Sequence, residues 1–560
     1  MNNTDLKIGF EQNNNTTATY FESIAYYKLL DKNCDNIQVN AYGMTDSGYP
    51  LHEVIITNDG VFDPELIKKN GKSILFINNG IHPGEPCGVD ASMLLTRALT
   101  QGNLQHLLNK VTIALVPLYN ISGSLNRGSY SRANQNGPEE YGFRGNGQNL
   151  DLNRDFVKCD SENAKTFNRL YNKWSADIFI DNHTSNGADY QYVMTLIPTQ
   201  KDKMEIPLSL YMTDHLLPDL YKKMKLNNYE MTPYVYAKTT PDQGILGFLD
   251  LPRYSSGYAN LHNSISFMPE THMLKSYKDR VYSTYQFMIS MLEHIDENKD
   301  ALLSARQKAI QLTKTKQEFD INWKLDEKKS EKFLFKGYEA KYKPSDVSGI
   351  ERLYYDQSKP YKKEISILNT YVPSLSVTKP KAYIIPRAYK QIIDKMISNG
   401  VEVMRINRDE VKEVETYQII DFKTVKSPYE GHYLHSDLEI TKRIENIKYL
   451  KGDYIIYTNQ QMNRYIIETL EPQAPDSWFS WNFFDAILNQ KEYFSPYVFE
   501  DLAKKILETN PTLKLKLEEK KAKNPEFKNS SYQQLEFVYQ NSKYFEKTYR
   551  RYPIGRLLED

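Results

Sequence analysis

Four short hydrophobic runs punctuate the first half of the chain: Ser73–Asn79, Val111–Pro117, Asp177–Asn182 and Ser264–Met268. Bounded apolar runs of this length read as strands buried on both faces. Between and after them, apolar residues recur at helical spacing over Pro86–Leu99, Ser161–Trp174, Leu208–Leu226 and the long Lys278–Thr315. Ahead of them, Tyr20, Ile24, Tyr27, Leu29 and Leu30 predict a helix over Thr19–Asp31. Two alternating runs, Ile37–Tyr42 and Glu53–Thr57, flank MTDSGYP and predict a hairpin with a Gly/Pro turn. From Gly71 to about Leu292 the order strand, loop, helix repeats, which predicts an α/β fold with a mixed, mostly parallel sheet flanked by helices.

The pattern shifts near residue 319 to shorter alternating runs, Phe333–Tyr342, Ala382–Ile385, Val401–Arg405 and Asp453–Thr458, with helices such as Ala388–Asn399 and Tyr497–Glu508. Lys278–Thr315 becomes increasingly charged towards its end, so the boundary is placed there. The chain is too long for one ordinary core, and residues 1–318 are expected to form one domain and 319–560 a mixed α/β accessory region. The aromatic stretch Pro475–Ile487 (PDSWFSWNFFDAI) reads as a buried packing segment that docks on the first domain.

Composition narrows the partners. Lys plus Arg and Asp plus Glu both number 71, so no global field attracts nucleic acid or an anionic membrane. The three cysteines, Cys34, Cys87 and Cys159, imply no disulfide framework and have no metal-ligand spacing. No apolar stretch long enough to span a bilayer occurs, and the start is polar and Asn-rich. A soluble protein is expected, either cytoplasmic or exported with its signal peptide removed.

Three of the four runs lead into residues with metal or acid–base chemistry. The first leads into His82 and Glu85, the third into His183 and the fourth into Glu270, whereas the second leads only into Asn120. In an open α/β sheet the carboxyl ends of the strands face one crevice, so these residues would meet there. Two His and a Glu form a usual catalytic zinc set that leaves a position for water. In GIHPGEP, Gly84 is expected to relax the backbone between the ligands, and Pro86 to open the next helix. Glu270, a carboxylate at a buried strand end, suits a general base. Asn153 and Arg154 in NLDLNRDF offer the fork and amide that bind a free carboxylate. His432 and His435 in HYLH read as surface or packing histidines.

The motifs GIHPGE, NLDLNRDF, FIDNHTS and SFMPETH occur in the order found in zinc carboxypeptidases of the M14 metallopeptidase family, which the chain resembles over roughly residues 19–300. The resemblance implies one zinc held by His82, Glu85 and His183, with Glu270 deprotonating the attacking water. Asn153 and Arg154 would bind the terminal carboxylate of a peptide or peptide-like substrate. An arginine that stabilises the oxyanion is assigned to Arg132, with Arg127 and Arg144 as alternatives, and the tyrosine that closes over substrate to Tyr258 rather than Tyr254. Gly84 stands where digestive members carry an Arg or another residue, so a substrate contact made there cannot be carried over. Arg253 would favour acidic terminal residues if it faced the pocket. A zinc amidohydrolase that removes acyl groups from small amino acids is the alternative enzyme. A non-catalytic peptide- or glycan-binding protein on the same fold would have lost Glu270 or a ligand, and none is lost.

Overall fold

The computed structural model describes residues 6–559, so the first five residues of the polar start lie outside the described residues. The hairpin forms from β1 (Ile37–Met44) and β2 (Pro50–Ile56), which pair antiparallel. The hydrophobic runs become β3 (Ser73–Asn78), β4 (Val111–Val116), β5 (Ile178–Asp181) and the fourth strand of that set, which continues to His272. Short strands β6 (His183–Ser185), β7 (Met194–Pro198) and β8 (Met231–Pro233) precede it, making Ile265–His272 β9. The sheet order is β1-β2-β4-β3-β5-β9-β7-β8, with β6 also pairing β9. The central β4-β3-β5-β9 block is parallel throughout.

Alternation along the strands divides the core between the two faces. Leu75 and Ile77 pack with helices α1 (Tyr20–Asn33), α2 (Cys87–Thr100) and a later long helix. Ile74 and Phe76 face α3 (Glu162–Trp174) and α4 (Ser255–Leu261). Thr19 caps α1 through a reciprocal capping box with Glu22. The expected helix at Leu208–Leu226 runs as three joined segments over 206–226, with a wider turn at Met212–Leu216. Pro218 lies in the first turn of the following segment and has no N–H to donate to the turn before it, which accounts for the widening.

The long helix α5 (Tyr277–Thr315) keeps a buried stripe to its end despite its rising charge. Within that stripe Arg306 donates to Asn263 O, Ser175 O and Asp177 Oδ1, which ties α5 to the start of β5.

Beyond residue 318 the hydrophobic core continues without a break. Tyr383, Ile385, Ile392, Tyr465 and Trp478 belong to the same buried cluster as Phe76, Tyr171 and Phe179. A long hairpin, β10 (Glu331–Pro344) and β11 (Glu351–Leu368), attaches where its end pairs parallel with Ile245–Leu246. A second hairpin, β12 (Glu410–Thr424) and β13 (His435–Tyr449), forms one edge of a six-stranded sheet. Of the expected strand Val401–Arg405, only Met404–Arg405 pairs. The aromatic segment is buried at Trp478, Phe479, Trp481 and Phe484. Arg253 joins it to the first half, donating through Nε to Asp476 Oδ1 at 2.8 Å. Among the described residues no helix is long and apolar enough to cross a membrane.

Phe76 lies at the centre of β3, fully buried, with the rings of Phe167, Tyr171 and Phe179 at 5.4–5.7 Å. Phe76→Ala is expected to destabilise the protein by about 3–5 kcal/mol, read as a lower denaturant midpoint with an unchanged slope.

Candidate metal centre and substrate cavity

His82 and Glu85 sit on the tight turn that leaves β3, closed by the bond from Glu85 N to His82 O at 2.8 Å. A side chain at position 84 would place its Cβ 2.2 Å from Arg132 Nε and displace that side chain, so the glycine leaves the space Arg132 occupies, and its φ lies outside the left-handed region. This replaces the expected reason, backbone freedom. Pro86 stands at the N-cap of α2 rather than inside it.

His183 opens β6 two residues after β5 ends and pairs in register with Glu270 of β9. Parallel pairing therefore sets the distance between a candidate metal ligand and the candidate base.

Among the described residues, His82, Glu85 and His183 form the group able to hold a metal ion, with ligand atoms within 4.8 Å of one another and all three side chains buried. Each histidine has a carboxylate behind it. His82 Nε2 donates to Asp151 Oδ1 at 2.9 Å, and His183 Nε2 donates to Asp181 Oδ2 at 2.8 Å. Those bonds select the tautomer that leaves each Nδ1 as a lone pair, the usual arrangement behind a metal-bound imidazole. His82 Nδ1 is buried and has no hydrogen-bond partner, though Glu85 Oε1 lies 3.3 Å away. His183 Nδ1 lies 3.1 Å from Glu85 Oε2. Lone pairs of neutral rings facing a carboxylate are relieved by a cation between them, so these residues fit zinc.

With Nδ1 protonated as well, the same rings instead hold Glu85 as an anion, so a metal ion and these protons compete for the same atoms. Burial works to raise the Glu85 carboxyl, but the charges of His82 and Arg132 and the bond from His183 outweigh it and hold Glu85 well below the ordinary carboxylate range. Burial likewise opposes a charged His183, yet Asp181 overcomes it and makes the imidazole more basic than usual. Glu270 behaves in the opposite sense. Burial, with the neighbouring Glu85 charge, pushes it up to about 7, and His183 only partly offsets this.

Three arginines border the same space. Arg132 Nη2 donates to Glu85 Oε1 at 2.7 Å. Arg144 grips Asp151 Oδ2 through Nε at 3.0 Å and Nη2 at 2.8 Å. Asn153 and Arg154 lie on a short 3₁₀ turn, Leu152–Arg154, capped by Asp151, whose Oδ1 accepts from Asn153 N. Asp151 thus orients both His82 and the Asn-Arg pair. The DLNR spacing contained that signal, but the sequence reading passed over Asp151 and likewise Asp181.

A cavity of about 570 Å³ joins these groups: it is lined by the three metal-binding candidates, Glu270, Arg132, Arg144, Asn153 and Arg154. Its apolar wall includes Ile197, Phe248 and Met268, with Tyr234 and Tyr254. Arg127 is directed elsewhere, to Thr17 O and Glu140.

The expectation for Tyr258 is corrected. Its ring is fully buried between Phe156, Tyr171 and His262, and its hydroxyl donates to Asn399 Oδ1 at 2.5 Å. Tyr254, just before α4, is the residue that borders the cavity, because Tyr258 lies a turn further along on the face packed into the core. Arg253 also does not face the pocket; it is committed to Asp476 and stacks 5.0 Å from the Trp481 ring. His432 and His435 bond Asp160 and Asp485 respectively and serve packing.

This arrangement, a His/Glu/His cluster at the carboxyl ends of a mostly parallel sheet, defines a metallohydrolase-like centre. A family model for zinc carboxypeptidases, Peptidase_M14, matches residues 24–333, and the chain belongs to that family. It is therefore a zinc metallopeptidase. Carboxypeptidase 2 of Trichophyton rubrum is 22% identical over 430 residues, covering 73% of each protein. A metallo-carboxypeptidase from Burkholderia cenocepacia aligns at a TM-score of 0.39 and 15% identity, over 50% of this chain and 70% of that one. One from Pseudomonas aeruginosa, solved in complex with (2-guanidinoethylmercapto)succinic acid, aligns at 0.38 and 14%, over 50% and 68%.

Asp181→Asn keeps the shape behind His183 but removes the charge. It is expected to weaken zinc affinity by about 10–100-fold, measured by competition with a chromogenic chelator.

Proposed function

We propose that the protein is a carboxypeptidase that removes the C-terminal residue of peptides, with one zinc held by His82, Glu85 and His183. When bound there, zinc supplies Lewis acidity and a water of lowered pKa. The protein's own groups do the rest. Glu270 takes a proton from the attacking water and returns it to the leaving amine. Asn153 and Arg154 bind the substrate's terminal carboxylate, which excludes internal peptide bonds. Arg132 donates to the carbonyl oxygen as negative charge develops on it. Tyr254, in place of Tyr258, flanks the substrate at the cavity wall.

The observation that carries this reading is the convergence, within one cavity, of the metal cluster, a carboxylate paired across the strands from His183, and the Asn-Arg pair. The apolar wall of Ile197, Phe248 and Met268 supports a preference for apolar or aromatic terminal side chains. An acidic preference through Arg253 is withdrawn, since that guanidinium is spent on Asp476.

Glu270→Gln is expected to lower kcat by about 10²–10⁴-fold while elemental analysis still finds zinc; near-normal turnover would remove Glu270 from the base role. Arg154→Ala is expected to raise KM by about tenfold or more for peptides with a free C-terminus. Equal effects on C-terminally amidated peptides would contradict the exopeptidase reading. If the protein instead releases acyl groups from small N-acyl amino acids and leaves peptides intact, the amidohydrolase reading replaces this one.

A further inference from the structure

We propose that Tyr429, in the C-terminal half of the chain, is a positioning residue for Arg154, so that the region beyond residue 318 completes the carboxylate-binding site. The inference rests on the role given to Arg154 above.

The segment between β12 and β13 does not extend into solvent but turns back onto the first half. Tyr429 and His432 exchange backbone bonds, N to O at 2.7 and 3.0 Å, around Glu430 (φ 51°) and Gly431 (φ 83°). Two successive positive φ values make this a two-residue turn of the hairpin kind, a rigid way to present one side chain. The turn is anchored independently of Arg154. His432 Nε2 donates to Asp160 Oδ2 at 2.7 Å, and its ring lies 5.6 Å from that of Trp481. The Tyr429 ring stacks on Trp481 at 6.2 Å and 23°, with the Arg253 guanidinium 5.7 Å away.

From that fixed position the Tyr429 hydroxyl accepts a hydrogen bond from Arg154 Nε at 3.0 Å. Two further contacts complete the grip. The Tyr254 ring lies 4.5 Å from the guanidinium carbon, and Arg154 Nη1 donates to Asn153 O at 2.7 Å. The ring restrains the guanidinium plane, and the two hydrogen bonds restrain its rotation within that plane. With Nε engaged by Tyr429, the side of the fork made by Nε and Nη2 is closed to a bidentate ligand. The Nη1–Nη2 end is the one left to meet a carboxylate. The neighbouring Glu430 accepts from Asp151 N at 2.7 Å, so the same turn also holds the residue that orients His82. An arginine on a flexible stem would lose rotamer freedom when substrate arrives. Here that ordering is done during folding.

Tyr429→Phe deletes the hydroxyl and keeps the stacked ring. For a free-carboxylate peptide it is expected to raise KM by about 5–30-fold with kcat within about twofold and an unchanged melting temperature. Calorimetric affinity for an N-acylated dipeptide should fall by the same factor for the acid and not for its C-terminal amide. In an Arg154→Ala background the Tyr429→Phe change should have no further effect, because the hydroxyl acts through that guanidinium. An unchanged KM for Tyr429→Phe, or a full effect persisting without Arg154, would overturn the proposal while leaving the carboxypeptidase reading intact. If the unmodified protein itself failed to distinguish acid from amide, the role of Arg154 would fall and this inference with it.

Discussion

Four carboxylates, Glu85, Asp151, Asp181 and Glu270, are held around two buried histidines, and keeping that much negative charge inside the fold is the constraint from which the site follows. Burying a carboxylate is costly unless it is paired or hydrogen-bonded. Glu85 is met by Arg132 and by Thr184 N, Asp151 by His82, Asn153 N and Arg144, and Asp181 by His183 and Asn78. Glu270 has the weakest compensation, and its carboxyl is the one that burial pushes up. A divalent cation held by His82, Glu85 and His183 would add the positive charge that this arrangement calls for.

Rigid backbone makes the arrangement possible. Asp181 ends β5 beside Asn78 of β3, and His183 begins β6 in register with Glu270 of β9. These are pairings in the parallel part of the sheet, where the strands are covered on both faces and cannot slip without turning apolar side chains the wrong way. The metal-binding candidates on the β3 turn and at the β6 start, and Glu270 beside them, therefore have fixed separations before any substrate arrives.

The C-terminal half contributes to this rigidity rather than hanging beside it. Its core is continuous with the face of the sheet that carries Phe76, and its aromatic segment is tied to the first half through Asp476 and Arg253. Its 429–432 turn reaches the Asn-Arg segment itself. At the end of α5, where the charge gradient suggested a boundary, Asn463 and Lys379 donate to the carbonyls of Thr313 and Lys314.

Much of the catalytic half was legible in the residues alone. The hydrophobic runs became the central strands because continuous apolar stretches of that length are stable only when both faces are covered, and the residues after them gathered because parallel strands end at one edge. His82, Glu85, His183 and Glu270 could be named as candidates for that reason, and Asn153 and Arg154 for their donor chemistry; the six line one cavity. Local spacing could not decide which way a side chain points from an irregular segment. Tyr254 and Tyr258 are equally aromatic and four residues apart, yet one borders the cavity and the other fills the core. Nor could it reveal contacts made over long separations. The space for Arg132 above Gly84, Asp476 on Arg253 and the Tyr429 hydroxyl on Arg154 each join residues far apart in the chain. The sequence by itself determined which chemistry is present and at which sheet edge it collects, because periodicity and strand direction are local. Only the tertiary structure decided how those groups are aimed, because aim depends on packing between segments that no local pattern encodes.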